Sequence, residues 1–121
     1  ADEAELPPVV EGDERGAAVA GLDINPAVSD SASAANYLGL VCDVTDEAQI
    51  LAALDQTVAK FGGLDMLVLN AGIFPPGTPI AKLASKDWAR VMRINLDSNL
   101  ALLRETYPLL ARQLTRRQKP P

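Results

Sequence analysis

Short apolar segments alternate with amphipathic and polar ones along the chain, and this alternation predicts a parallel α/β fold. Apolar runs at residues 17–23, 37–43 and 64–69 are typical of strands in a parallel sheet, whose two faces are both covered. Between the second and third runs, apolar side chains recur at helical spacing, at Ile50, Leu54, Val58 and Phe61. The order strand, loop, strand, helix, strand, loop, helix favours a sheet with flanking helices.

Polar residues and glycines predict where the two helices begin and end. Thr45 or Asp46 can cap the first helix, and the glycines at 62–63 end it, because glycine tolerates left-handed backbone. Ser85 can cap a second helix over about residues 86–112. Its predicted apolar stripe consists of Trp88, Val91, Met92, Leu96, Leu102, Leu103 and Leu110.

The composition limits the classes of protein to which the chain can belong. Hydrophobic residues make up 48% of the 121 residues, which is enough for a packed core. The formal net charge of −5 argues against a nucleic-acid partner, because phosphates are neutralised by clustered lysine and arginine. We expect an irregular acidic segment at 1–15, a partial dinucleotide-binding domain at 16–113 and a basic tail at 114–121.

Cysteine and histidine usage narrows the chemistry further. The chain has no histidine, which excludes a Ser-His-Asp triad and most zinc sites, so we expect no metal. Its single cysteine, Cys42, is predicted to pack in the core and fits a reducing compartment. Because there is no apolar run of membrane-spanning length, we expect a cytoplasmic protein without a membrane partner.

Polar residues follow each predicted strand, where parallel sheets bind ligands. The Asp23 carboxylate can accept hydrogen bonds from a ribose diol and would repel a 2′-phosphate; alternatively, it is an ordinary loop acid. Asp43 and Val44 can offer a carboxylate and a backbone group to an adenine edge, unless Asp43 only starts the following helix.

The third predicted strand runs into Asn70, Ala71 and Gly72. The Asn70 amide can link neighbouring strand ends, and the two small residues allow a flat ligand to approach the backbone; the alternative is an ordinary turn. Asn95 lies on the apolar stripe of the second helix. A buried amide there needs hydrogen-bond partners, so we expect it to bend the helix and hold a water, or to be a satisfied core residue without function.

These segments, in this order and at this spacing, resemble the short-chain dehydrogenase/reductase family over about residues 16–112. The matching pieces are Gly-Leu-Asp23, Cys42-Asp43-Val44, the run from Leu64 to Ile73, Trp88, and Arg93-Ile94-Asn95-Leu96. Residues 71–105 also resemble the dehydrogenase module of the bifunctional rhamnulose-phosphate aldolase/alcohol dehydrogenases. The resemblance implies a Rossmann-like fold and an oligomeric enzyme that uses a nicotinamide cofactor.

The resemblance also implies site residues. It assigns NAD binding to residues that follow the strands: Asp23 and Ile24 at the adenosine ribose, Asp43 and Val44 at adenine, and Asn70, Ala71 and Gly72 along the cofactor. Asn95 matches the asparagine of the family's catalytic tetrad, whose main chain holds a water of the proton relay.

The sequence also departs from the family's pattern. The glycine-rich phosphate loop is not matched, because the segment at 12–16 carries Asp13 and Glu14, which would repel phosphate. The catalytic serine and the Tyr-x-x-x-Lys pair are not matched either. We therefore expect an incomplete sheet of three strands that lacks the family's central first strand. Residues 1–15, a re-pairing of the strands or another chain could close the gap.

Two hypotheses follow for function. The first is a fragment of an NAD-dependent oxidoreductase that moves a hydride between nicotinamide and an alcohol or carbonyl, inactive as given, with NAD binding in question without the loop. The alternative is a non-catalytic Rossmann-like binding or oligomerisation module, which would form homo-oligomers through the helix at 86–112 or through exposed strand edges. A flavodoxin-like regulatory domain would leave Asn95 unexplained.

Overall fold

The described residues form a sheet of two parallel strands. The computed structural model describes residues 16–29, 36–74 and 77–118. Strand β1 (Val19–Asp23) pairs in parallel with β2 (Tyr37–Val41), with Val19 opposite Tyr37 and Asp23 opposite Val41. A 3-10 helix at Pro26–Ser29 follows β1. The predicted α/β class and the first two strands are confirmed.

The predicted third strand does not join the sheet. Among the described residues the sheet has only β1 and β2, and residues 64–69 carry no ladder hydrogen bonds. Leu64 and Leu67 still pack against the core, whereas Met66 and Val68 are each 74% exposed. The three-stranded sheet was therefore a wrong prediction. The apolar segment is present, but within the described part of the chain no strand edge lies beside it to pair with.

The strands do not re-pair in the described residues to close the gap, because β1 and β2 keep their parallel pairing and residues 64–69 stay outside it. The acidic segment at 1–15 lies outside the described residues. A parallel pair alone offers few hydrogen bonds, so packing against helices must stabilise this sheet.

Helix α1 (Glu47–Phe61) begins and ends as predicted. The Asp46 carboxylate caps it, since its Oδ1 accepts a hydrogen bond from the Ala48 N–H at 3.0 Å. At the other end Gly62 adopts φ 87° and donates its N–H to the Val58 carbonyl at 2.7 Å. These two caps fix the length of the helix.

The second long helix has three parts. Helix α2 (Ser85–Met92) leads into a π-helical turn (Arg93–Asp97) and then into α3 (Ser98–Gln118). Ser85 is the first helical residue and not the cap as predicted; the N-cap is Ala84, which makes no side-chain capping bond. The helix also continues six residues past the predicted end at 112.

The buried face of this helix differs from the predicted stripe. Ala101 and Leu102 are buried, but Trp88, Leu96 and Leu103 are exposed. Trp88 is therefore not the packing residue that the 3.6-residue period suggested. A stripe counted through residues 85–118 assumes a regular helix, whereas the π turn shifts the face of α3 relative to that of α2. Trp88 precedes that turn and lies on α2, which has no buried residue.

One hydrophobic cluster holds the strands and helices together. It consists of Leu40, Cys42, Ile50, Ala53, Leu54, Ala101 and Leu102, with Leu22, Leu38, Val44, Leu64, Leu67 and Leu109 packed around it. Cys42 is buried there, as predicted, and burial raises the pKa of its thiol. On the surface, Arg104 and Glu47 form an ion pair at 2.7 Å that joins α3 to α1. Within the described ranges, no helix combines the length and apolar character needed to cross a membrane.

Candidate functional site

The carboxyl ends of the two strands lie side by side and carry the first predicted site residues. The Cys42 N–H donates to the Asp23 carbonyl at 2.9 Å, which joins the two strand ends. Asp23 is exposed, and its Oδ1 accepts the Asn25 N–H at 3.1 Å. Ile24 follows and is exposed as well. The carboxylate therefore faces solvent at the edge where parallel sheets bind ligands.

Among the described residues, the carboxylate of Asp43 is bound by one neighbour, Thr45. Its Oδ1 accepts two hydrogen bonds from Thr45, from the hydroxyl at 2.7 Å and from the N–H at 2.9 Å. These bonds hold the pKa of Asp43 below its ordinary value, and the charge of Arg93 lowers it further. Within the described residues, Oδ2 accepts no hydrogen bond, so one carboxylate oxygen stays available to a ligand.

Val44 supplies a donor next to this acceptor. Its side chain packs against the core, and its N–H has no acceptor among the residues that the structure describes. An acceptor on Asp43 and a donor on the next residue match the edge of adenine, where the 6-amino group donates and N1 accepts. Asp43 and Val44 both follow β2 and carry these hydrogen-bonding groups, and their role at adenine stays a prediction.

Two residues of this turn were missed by the sequence prediction. The Gln49 Oε1 accepts the Asp43 N–H at 2.8 Å, and Thr45 binds the Asp43 carboxylate. Thr45 was considered only as a helix cap. Gln49 lies in the first turn of α1, from which a side chain can reach back to the residues before the cap, but the spacing leaves its orientation open.

Asn95 holds the segment that follows the unpaired apolar run. Its Oδ1 accepts the Ile73 N–H, and its Nδ2 donates to the Ile73 carbonyl, both at 2.7 Å. Gly72 lies beside it, and a Cβ added there would be in ordinary contact with the Asn95 amide. Asn95 is half-buried and its amide is satisfied on both sides.

Asn70 does not make the link between strand ends that we predicted for it. Its side chain is exposed and hydrogen-bonds no other described residue, and Ala71 is exposed too. The amide that ties this segment to the rest of the fold belongs to Asn95. The correction has a simple cause: the strand that Asn70 was expected to link is outside the sheet.

The helix widens at Asn95, which lies in the π turn at Arg93–Asp97. The Ser98 hydroxyl donates to the Ile94 carbonyl at 2.6 Å, and the Asn99 amide donates to the Asn95 carbonyl at 3.2 Å. Widened turns of this kind are frequent at functional sites. The predicted water on the Asn95 main chain stays a prediction.

Metal binding has no support in the described ranges, where no cluster of three or more His, Cys, Asp or Glu side chains occurs. The described site instead consists of carboxylates, backbone groups and a main-chain segment beyond the ends of parallel strands. That arrangement is typical of a Rossmann-like fold.

Comparison with known proteins identifies the family. The family described as enoyl-(acyl carrier protein) reductase matches residues 11–116. The chain belongs to the short-chain dehydrogenase/reductase family. In the solved structures, 3-ketoacyl-(acyl-carrier-protein) reductase from Brucella melitensis, complexed with NADH, superposes with a TM-score of 0.83 at 24% identity, over 88% of this chain and 46% of that one. Sorbitol-6-phosphate 2-dehydrogenase from Erwinia amylovora gives 0.75 at 28% identity, over 84% and 42%.

Curated relatives share more of the sequence. The cis-4-hydroxycyclohexanecarboxylate dehydrogenase of Sinomonas cyclohexanicum is 42% identical over 88 residues, 69% of this chain and 35% of the relative. A dehydrogenase/reductase of CLA biosynthesis from Lactiplantibacillus plantarum is 40% identical over 81 residues, 67% and 28%. The chain therefore spans about a third of the length of these relatives. The finer resemblance to a bifunctional aldolase/alcohol dehydrogenase stays a hypothesis.

Proposed function

We propose that this chain forms the adenosine-binding part of an NAD-dependent short-chain oxidoreductase. The whole enzyme would move a hydride between nicotinamide and an alcohol or carbonyl substrate. The observation that carries the proposal is the pair that follows β2, where one oxygen of the Asp43 carboxylate and the N–H of Val44 both lack a hydrogen-bond partner among the described residues. The hydrogen-bonding pattern of that pair complements the edge of adenine.

Asp23 supports NAD over NADP as the cofactor. It lies at the end of β1, beside the strand that leads to Asp43, and its carboxylate is exposed. A carboxylate can bind the hydroxyls of the adenosine ribose but repels a 2′-phosphate. Ile24, exposed next to it, would border the same ribose.

The other site residues would serve the rest of the cofactor. Residues 70–72 would lie along its nicotinamide half, kept in place by the bonds between Asn95 and Ile73. Bound NAD would supply the hydride acceptor. The 121 residues contain no Tyr-x-x-x-Lys pair and so lack the general acid that carbonyl reduction requires. We therefore propose that they bind the cofactor but do not turn over a substrate. The reduced, buried Cys42 supports a cytoplasmic location.

A binding comparison tests the cofactor assignment. ADP-ribose and its 2′-phosphorylated form would be titrated into the full chain by isothermal calorimetry. We expect tighter binding of ADP-ribose, and we expect Asp23→Asn to reduce that preference, because the repulsive charge is gone. Asp55→Asn, the same change at an exposed position on α1, should leave the preference unaltered. Equal binding of both ligands by the unmodified chain would contradict the assignment to NAD.

A second candidate function, assembly, is favoured by one surface. Leu96, Leu100, Leu103 and Tyr107 recur at helical spacing along the π turn and α3, and each is more than half exposed. A continuous apolar stripe on a surface helix marks an interaction site. We propose that two copies of the chain pair through this stripe, an arrangement that is compatible with cofactor binding at the strand ends.

Analytical ultracentrifugation separates the two candidates. If the stripe is a dimer interface, Leu100→Glu should shift the chain toward monomer, since it places a charge in an apolar contact. Ile80→Glu is the matched control, because Ile80 is even more exposed but lies outside the stripe. If the unmodified chain is monomeric, the assembly proposal is wrong, and the cofactor proposal is unaffected.

A further inference from the structure

Gln49 connects the two ends of the turn that carries the adenine-binding groups. Its Oε1 accepts the Asp43 N–H at 2.8 Å, and its Nε2 donates to Asp46 Oδ2 at 3.1 Å. The same amide thus contacts Asp43, on the β2 side of the turn, and Asp46, which caps α1. The spacing alone did not single out Gln49.

The contacts of Gln49 restrain the turn in a way that no other side chain does in the described residues. Asp46 is fixed from the helix side, because its Oδ1 accepts the Ala48 N–H. Its N–H donates to the Asp43 carbonyl at 3.0 Å, which closes the turn. Gln49 adds the missing restraint on the Asp43 N–H, so that both peptide groups of Asp43 are held.

Fixing the peptide groups of Asp43 orients the groups that face a ligand. The carboxylate of Asp43 and the N–H of Val44 project from adjacent residues, so a rotation about the backbone between them changes their relative direction. Two hydrogen bonds to one aromatic edge require both groups to be aligned at once. Loss of the alignment would weaken recognition of the edge more than it would weaken contact with the ribose.

We propose that Gln49 is a positioning residue that aligns Asp43 and Val44 for adenine and so sets the base selectivity of the site. The inference rests on the proposed cofactor site. Gln49 itself does not touch the base. It acts through the Asp43 N–H, and its own bond to Asp46 keeps its amide in the orientation that presents an oxygen to Asp43.

Adenosine and inosine are the probes for this role. Both are neutral and carry the same ribose, but inosine offers N1–H as a donor and O6 as an acceptor, the reverse of the adenine edge. Binding to the full, isotope-labelled chain would be followed by NMR through the Val44 amide shift, which also detects millimolar affinity. We expect the unmodified chain to prefer adenosine by about tenfold or more, because inosine leaves both protein groups unpaired.

The test compares Gln49→Met with Gln56→Met. Both replace an amide by an apolar chain of similar size on α1, and Gln56 is exposed and makes no hydrogen bond among the described residues. Gln49→Met should weaken adenosine binding by about fivefold, the effect of one lost hydrogen bond, and bring the two affinities closer together. Gln56→Met should leave both unchanged.

A third variant distinguishes the positioning role of Gln49 from a simple loss of structure at the start of α1. Gln49→Glu keeps an oxygen acceptor for the Asp43 N–H but replaces the donor to Asp46 by a carboxylate that repels it. It should therefore retain less of the adenosine preference than the unmodified chain and more than Gln49→Met. If the unmodified chain binds adenosine and Gln49→Met keeps the full preference, the role of Gln49 is overturned alone. If the unmodified chain binds neither nucleoside, the adenine site itself is overturned, and this role with it.

Discussion

Asn95 and Ile73 exchange two hydrogen bonds, each of 2.7 Å, between a side-chain amide on one side and a single backbone residue on the other. The amide lies in the π turn, and Ile73 follows the apolar segment that stays outside the sheet. In a complete ladder, neighbouring strands would hold this segment. Here the packing of Leu64 and Leu67 and this pair of bonds are among the contacts that hold it.

Asn95→Asp should therefore release the segment around Ile73. The carboxylate can still accept the Ile73 N–H, but it has lost the donor and would repel the Ile73 carbonyl. We expect a loss of about 1–3 kcal/mol in unfolding free energy, the usual cost of an unsatisfied partly buried group. Faster amide hydrogen exchange at Ile73 would show that the loss is local.

Asn70→Asp is the control for this change, because it introduces the same charge at an exposed amide of the same segment. It should alter the unfolding free energy by no more than about 0.5 kcal/mol. If both variants were equally stable, the two bonds between Asn95 and Ile73 would contribute nothing to holding the segment.

The sequence predicted those parts of the fold that depend on neighbours along the chain. Asp46 and Gly62 were recognisable as the ends of α1 because capping needs only the residues of one turn. Strands β1 and β2 were recognisable because apolar runs of that length are typical of covered sheets. The family resemblance was also correct, since it rested on ordered segments and not on a single motif.

The parts that failed depend on partners distant in sequence. Residues 64–69 have the composition of a strand, but a strand also needs an adjacent edge, and composition does not report one. Trp88 was placed in the core by its spacing, yet the whole of α2 has no buried residue. Within the site, the binding roles of Asp43 and Val44 stay predictions, and the hydrogen bond from Asp43 to Gln49 depends on a side-chain orientation that spacing leaves open.

Gly39 should not tolerate a side chain. A Cβ at this position of β2 would collide with the backbone of Val28 and Ser29, which lies directly against it. Because a backbone collision cannot be relieved by a side-chain rotation, Gly39→Ala should lower the unfolding free energy by about 1–3 kcal/mol in urea denaturation. Gly77→Ala is the control, since nothing lies within 4 Å of its added Cβ. Similar stabilities of the two variants would mean that the 3-10 helix can move away from the sheet at little cost.

Ile50 should be the most costly position of α1 to truncate. Its side chain is 0% exposed and lies at the centre of the hydrophobic cluster, whereas Leu51 on the same helix is 45% exposed. Ile50→Ala should cost about 2–5 kcal/mol, because it removes buried methylene groups and leaves a cavity. Leu51→Ala should cost much less. Equal losses in thermal unfolding would indicate that the core is not organised around Ile50.

The titration of Asp43 tests the bonds from Thr45. The hydroxyl and N–H of Thr45 hold the pKa of Asp43 below its ordinary value in the folded chain. Thr45→Val removes the hydroxyl bond and keeps the N–H bond, so the pKa should rise part of the way back. An NMR titration of the Asp43 carboxyl carbon would measure the change directly, with Thr78→Val, an exposed threonine, as the control.

The same substitution has a consequence for stability whose sign follows from the direction of the shift. A folded-state pKa below the unfolded value stabilises the fold when the carboxyl is ionised, and this contribution is lost as the pH falls through the folded pKa. The unmodified chain should therefore be more stable than Thr45→Val above about pH 5, where the unfolded carboxyl is ionised, and the difference should shrink as the solution is made more acidic. Urea denaturation at a series of pH values would measure it. A stability difference that stayed constant down to strongly acidic pH would show that the Thr45 hydroxyl stabilises the turn independently of the charge on Asp43.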